Sequence, residues 1–130
     1  MIVGYGRVRG NTCNDCDPPI PDTLYVTFAG LAGDFADWNG KHTLTWVYAC
    51  TWVYNFPTEP YLHFSWGGDY WAVYLVLEPP CNIQFRRYGH EYMCNPDVAG
   101  YTQCNCTDAT CEDTDSCEDS AGATCVVSLT

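Results

Sequence analysis

The sequence predicts an all-β protein: a single-domain β-sandwich or barrel of about seven short antiparallel strands with a disulfide-rich, loop-like C-terminal third. Three observations predict it. Apolar and polar side chains alternate with period two over several short runs. Turn residues, among them Asn-Gly, Gly-Gly-Asp and Pro-Pro, separate those runs. Ten cysteines in 130 residues point to a covalent framework.

Residues 1–19 read as an N-terminal arm and a Cys-x-x-Cys loop ahead of one β domain spanning 20–130. In the arm, Ile2, Gly4, Gly6 and Val8 alternate with Val3, Tyr5, Arg7 and Arg9, a strand pattern weakened by its glycines. Thr23–Ala29 is the first clear strand, with Leu24, Val26 and Phe28 on one face and Tyr25 and Thr27 on the other. A Gly/Asp loop then leads to Asn39-Gly40, a pair suited to a tight turn. Lys41–Tyr48 sets Leu44, Trp46 and Tyr48 against Thr43, Thr45 and Val47. Ala49–Tyr54 continues in β-rich composition, with a hairpin or bulge expected near Cys50.

Pro57 and Pro60 break the chain before the strand Tyr61–Trp66, whose Leu62, Phe64 and Trp66 share a side. Gly67-Gly68-Asp69 signals a hairpin into Tyr70–Leu77. That strand is apolar or aromatic on both faces and is the expected central one, with Trp66 and Trp71 in the core. Pro79-Pro80 ends it. In Asn82–Tyr88, Ile83 and Phe85 point inward and Gln84 and Arg86 outward. Residues 92–121 form a cysteine-rich acidic loop region with too few apolar side chains to pack without cross-links. Ala123–Thr130 closes the chain as a strand.

A net charge of −11, with 16 acids against 5 Lys plus Arg, excludes two classes of partner. Nucleic acid requires a basic face that releases counterions, and anionic lipid requires a basic patch. No apolar run reaches the roughly 18 residues of a membrane-spanning helix.

Cys13, Cys16, Cys50, Cys81, Cys94, Cys104, Cys106, Cys111, Cys117 and Cys125 are all disulfide candidates. Complete pairing would give five bridges, and spacing alone assigns none of them. Disulfides imply an oxidising environment, yet the N-terminal residues carry no apolar signal-peptide core. Three expectations reconcile the two: a mature form with an added Met, reduced thiols on a metal, or a protein released by lysis within a virus particle and oxidised outside the cell.

No nucleophile or metalloprotease motif is present. His42, His63 and His90 are scattered, and the first two fall in strands, where a satisfied or surface histidine is the plainer reading. Glu59, Glu78, Glu91 and Asp69 fall in turns with nothing to pair them as acid and base. The expectation is therefore no enzyme, no catalytic residue, no cofactor and no metal. Cys13, Cys16, Cys104 and Cys106 are the zinc alternative. Asp108, Glu112, Asp113, Asp115, Glu118 and Asp119 crowd one stretch but lack EF-hand spacing, so a solvated acidic loop is expected there. Asn105-Cys106-Thr107 matches a glycosylation sequon. Five Trp and ten Tyr exceed what a core of this size needs. Tyr5, Trp38, Trp46, Trp52 and Tyr54 are the candidates for interaction with a protein partner or, alternatively, a glycan.

The run Ile20-Pro21-Asp22-Thr23-Leu24-Tyr25-Val26-Thr27-Phe28, the run Trp38-Asn39-Gly40-Lys41-His42-Thr43-Leu44-Thr45-Trp46 and the terminal strand within 121–130 resemble small cysteine-rich all-β proteins of tailed bacteriophages and environmental bacteria. The resemblance covers about a third of the chain. It implies a β module on a virion or cell surface, without catalysis, and carries over no active-site residue. The expected function is a virion structural protein: first a capsid decoration protein, then a tail, fibre or host-adhesion module, or a filament subunit. Its expected partners are other virion proteins and copies of itself, and its expected location is the virion surface. The arm Met1–Arg9 would join a neighbour's sheet by strand addition.

Overall fold

A computed structural model describes residues 16–48, 50–54, 61–78, 81–104 and 123–130. Eight strands follow in chain order: β1 (Thr23–Ala29), β2 (Gly40–Tyr48), β3 (Thr51–Tyr54), β4 (Tyr61–Trp66), β5 (Tyr70–Glu78), β6 (Cys81–Tyr88), β7 (Thr102–Cys104) and β8 (Thr124–Ser128). Strands β1 to β7 form an antiparallel meander, and β8 returns to pair antiparallel with β1. β7 and β8 are therefore the two edges of one sheet, and they lie side by side. Among the described residues the sheet curls into a nearly closed barrel with its seam between these two edges, which limits the exposed edge.

The barrel forms because one set of alternating side chains points inward and is large and apolar. Register places Leu24 opposite Leu44, Leu62 opposite Leu75, Phe64 opposite Val73, Leu75 opposite Ile83 and Val73 opposite Phe85. All of these are fully buried. Trp52 and Trp71 fill the centre, and Phe28, Phe35, Phe64 and Phe85 surround them. Burial of each such side chain contributes about 1.5–3 kcal/mol.

Antiparallel connectivity sorts the loops into two ends. The terminal end carries the entry to β1, the β2–β3 and β4–β5 turns, the β6–β7 connection and the exit from β8. At the opposite end, β1 leads into β2 through a 3₁₀ turn, Gly33–Trp38, where a plain loop was expected. Leu31 and Phe35 of this connection are buried in the core. Asn39 holds it in place: its Oδ1 accepts from the Leu31 N–H at 2.9 Å, and its Nδ2 donates to the Leu31 and Ala36 carbonyls.

The turns follow their residues. The expected irregularity near Cys50 is a register shift between Trp46 and Tyr48, followed by Cys50 at φ 64°. In the β4–β5 hairpin, Gly68 has φ +100°, and a Cβ on Gly67 would meet the Tyr70 ring at 2.7 Å. Substitution at either glycine strains that turn.

Among the described residues the strands number eight, in keeping with the seven or so expected, and the additional one is Thr102–Cys104, which pairs with β6 inside the region read as loop-like. Cys16, in the Cys-x-x-Cys loop of residues 1–19, is a buried member of the core and is bonded to Cys94 with Cα atoms 5.5 Å apart. Cys125 is a free, buried thiol rather than half of a bridge. It sits inward on β8 opposite Phe28, where burial raises its pKa. Cys50 is also disulfide-bonded.

With Cys125 reduced, nine cysteines remain, and an odd number allows at most four bridges within the chain. The oxidised mass should lie no more than about 8 Da below the fully reduced mass. Cys125 should resist alkylation in the native protein and react once denaturant is added. A deficit of 10 Da would contradict this assignment.

Candidate interaction surface

Three surface regions assemble from side chains that the strands place together. The first lies at the opposite end. Trp38 leaves the 3₁₀ turn beside His42 of β2 and Tyr54 of β3. His42 Nε2 is 2.7 Å from the Trp38 carbonyl oxygen. The Trp38 and Tyr54 rings meet edge-on at 5.7 Å, and His42 packs on both. Trp38 is half-buried and Tyr54 exposed. The rings largely occupy one another instead of offering a flat platform of the kind a sugar stacks on.

The second region is the outer face of β4 to β6. His63 stacks on Tyr74 with centroids 4.7 Å apart, and Tyr61 extends the stack. Gln84 and Arg86 do point outward, yet both are only 4% exposed. Arg86 donates to Gln84 Oε1 and to the Tyr88 hydroxyl and lies over the Tyr70 ring. A buried guanidinium needs such partners, because desolvation otherwise costs several kcal/mol.

Burial lowers the pKa of His63 below 6.5. The unfolded chain then binds a proton on this residue as pH falls through about 6.5, while the folded chain does not. Stability should therefore be unaffected by His63 above that pH and decline below it, levelling off beneath the folded pKa. His63→Phe keeps a ring on Tyr74 and should flatten the decline in denaturant midpoints measured between pH 7 and 5. An unchanged slope would show that His63 does not set it.

The third region is a groove of about 170 Å³ at the terminal end. One wall is Asp17 to Pro21, just before β1; the other is Cys94 to Asp97, with Leu129 beyond β8. The Cys16–Cys94 disulfide clamps the walls together. Tyr101 supports the second wall from within, donating its hydroxyl to the Pro96 carbonyl at 2.6 Å. Burial, the largest cause, raises the Tyr101 pKa, and Cys125 and Asp97 add to it. The hydroxyl therefore stays protonated and remains a donor. Pro18, Pro19 and Pro21 are exposed, and Asp17 and Asp97 bring two exposed carboxylates. Among the exposed large apolar side chains, Val47, Tyr48, Tyr88 and Leu129 also belong to this end of the barrel.

The sequence-derived candidates divide accordingly. Trp38 and Tyr54 come together. Trp46 is half-buried, with its ring 4.7 Å from Trp52. Trp52 is removed from the interaction set: it is wholly enclosed, and its Nε1 donates to the Pro21 carbonyl. Trp66 is half-buried against Trp71, which is in the core as expected. Tyr5, Cys13, Cys106, Cys111, Cys117, the sequon and the acidic cluster lie outside the described residues, as do the side chains of Cys81 and Cys104. Among the described residues no three His, Cys, Asp or Glu gather closely enough to hold a metal ion. The groove was missed, although its signal is in the sequence: Cys16-Asp17-Pro18 and Cys94-Asn95-Pro96-Asp97 are two short proline-and-acid segments, each opening on a cysteine.

Comparison of the chain with protein-family models, with curated proteins and with solved structures finds no match.

Proposed function

We propose that the chain is a non-enzymatic structural protein of a bacteriophage virion, a capsid decoration protein stabilised by disulfides. It acts by docking, through the terminal end of its barrel, on neighbouring virion proteins and on copies of itself. The observation that carries this reading is the concentration of features at that end: a clamped proline groove with two carboxylates, together with four exposed large apolar side chains. Apolar side chains within a polar rim are the usual composition of a docking surface.

The packed interior supports the same reading. Barrels that hold a small molecule keep a lumen for it, whereas Trp52, Trp71, Phe64 and Phe85 fill this one. Recognition therefore falls to the outside. Disulfide cross-linking suits a protein that works after release from the cell.

The test is fractionation. Particles purified from lysing host cells are separated into heads and tails, and the chain is quantified in each by mass spectrometry. Recovery with heads, in many copies per particle, is the expected result. Recovery with tails would assign it to the tail or fibre. Recovery as free filaments, seen by electron microscopy, would make it a filament subunit. Either would overturn the decoration role.

A further inference from the structure

We infer that the proline groove is the receptor for the N-terminal segment of a second copy of this chain, with Arg7 and Arg9 of one copy paired with Asp17 and Asp97 of the next. The inference rests on the assembly role proposed above and names the partner of that surface.

Charge makes the case first. Each copy carries a net charge of −11, so two copies repel. Residues 1–10 hold two of the five cationic side chains and none of the sixteen acids. The other pair of arginines, Arg86 and Arg87, is engaged within the barrel, Arg86 buried and Arg87 bonded to Ala99, Tyr88 and Tyr92, so residues 1–10 are the cationic stretch matched to an acidic neighbour. The groove presents Asp17 on one wall and Asp97 on the other, both exposed. Arginine pairs with carboxylates in fixed, two-pronged geometry, so two such pairs also set the register of a bound segment.

Shape and reach agree. The groove is lined by Pro18, Pro19, Pro21, Pro96 and Leu129, a surface suited to Val3 and Tyr5, which share a face with Arg7 and Arg9 in the alternating pattern. No described residue fills it. Residues 1–15 precede Cys16, which is bonded to Cys94 in the groove's own wall. Fifteen residues precede that point, enough to span about 50 Å when extended. A domain of this size is roughly 35 Å across. The segment can therefore cross from one copy to the groove of the next, and the contact repeats head to tail.

The test is a charge swap in the full-length chain, read by sedimentation velocity at low and high salt. Wild type is expected to self-associate at low salt and to dissociate as salt screens the pairs. R7E/R9E and D17K/D97K should each sediment as monomers, with the far-UV circular dichroism of wild type. An equimolar mixture of the two should regain association, because each variant's segment then meets a groove of opposite sign. Wild type that stays monomeric, variants that associate like wild type, or a mixture that stays monomeric would each overturn the inference. So would a monomeric wild type whose groove amides lose hydrogen-exchange protection when residues 2–10 are deleted, since the segment would then lie in its own groove. Binding of both variants to purified heads is measured in parallel. Heads that bind the variants as well as wild type leave the decoration role intact while the groove assignment fails.

Discussion

Trp71→Ala is expected to destabilise the fold by about 3–5 kcal/mol, a large fraction of the 5–15 kcal/mol available to a domain of this size. Trp71 is wholly buried on β5. Its ring stacks on Phe64 at 4.7 Å and meets Trp66 at 5.2 Å and Trp52 at 5.9 Å. Alanine leaves a cavity bordered by three rings that their own strands hold in place, so collapse into it is limited. The indole Nε1 also donates to the Tyr92 carbonyl at 2.7 Å. That carbonyl accepts the Asn95 N–H as well, at 2.9 Å, so losing the indole does not orphan it. Cavity formation should therefore dominate over the lost hydrogen bond. Trp71→Phe, which keeps a ring but no donor, should cost clearly less than Trp71→Ala in urea unfolding. Equal losses for the two variants would mean that the hydrogen bond, not the packing, matters at this position.

Removing the Cys16–Cys94 bridge as Cys16→Ala/Cys94→Ala is expected to cost about 4 kcal/mol. The bridge spans 78 residues of chain, and long loops gain most from closure because an uncrosslinked unfolded state has more freedom to lose. It also joins the entry of β1 to the β6–β7 connection, two segments far apart in sequence. The double variant should unfold at a lower denaturant concentration while its native circular dichroism stays close to wild type. A loss below about 1 kcal/mol would mean that the remaining contacts hold these segments without the bond.

The strands were legible wherever alternation ran long enough. Thr23–Ala29 and Tyr61–Trp66 coincide with β1 and β4, and the readings of β2, β5 and β6 differ only at their ends. Alternation reports which side chains share a face, and a barrel interior is that face. It fails for a segment as short as β7, whose three residues contain no period to read. It also fails for Gly33–Trp38, where a 3₁₀ turn is fixed by Asn39 from outside the run. Trp52 reads as a candidate for contact because tryptophan is common at interfaces. Only register, with Trp52 set between Trp46 and Phe64 across neighbouring strands, shows that it lies inside. Cys125 shows the same limit, since cysteine count cannot tell an enclosed thiol from a bridged one. The groove was the least legible feature. Its walls are separated by more than seventy residues and are joined by the disulfide.

We propose that this barrel is a virion structural protein that docks by its terminal end. A cryo-electron microscopy map of purified heads tests it most directly. The expected result is barrel-shaped density on the capsid exterior, with the Cys16–Cys94 end and Leu129 against a neighbour. Heads that carry the chain by this end only, with the Trp38 and Tyr54 end facing solvent, would meet the claim in full. Heads without barrel density, or barrels seated by the Trp38 and Tyr54 end, would contradict it.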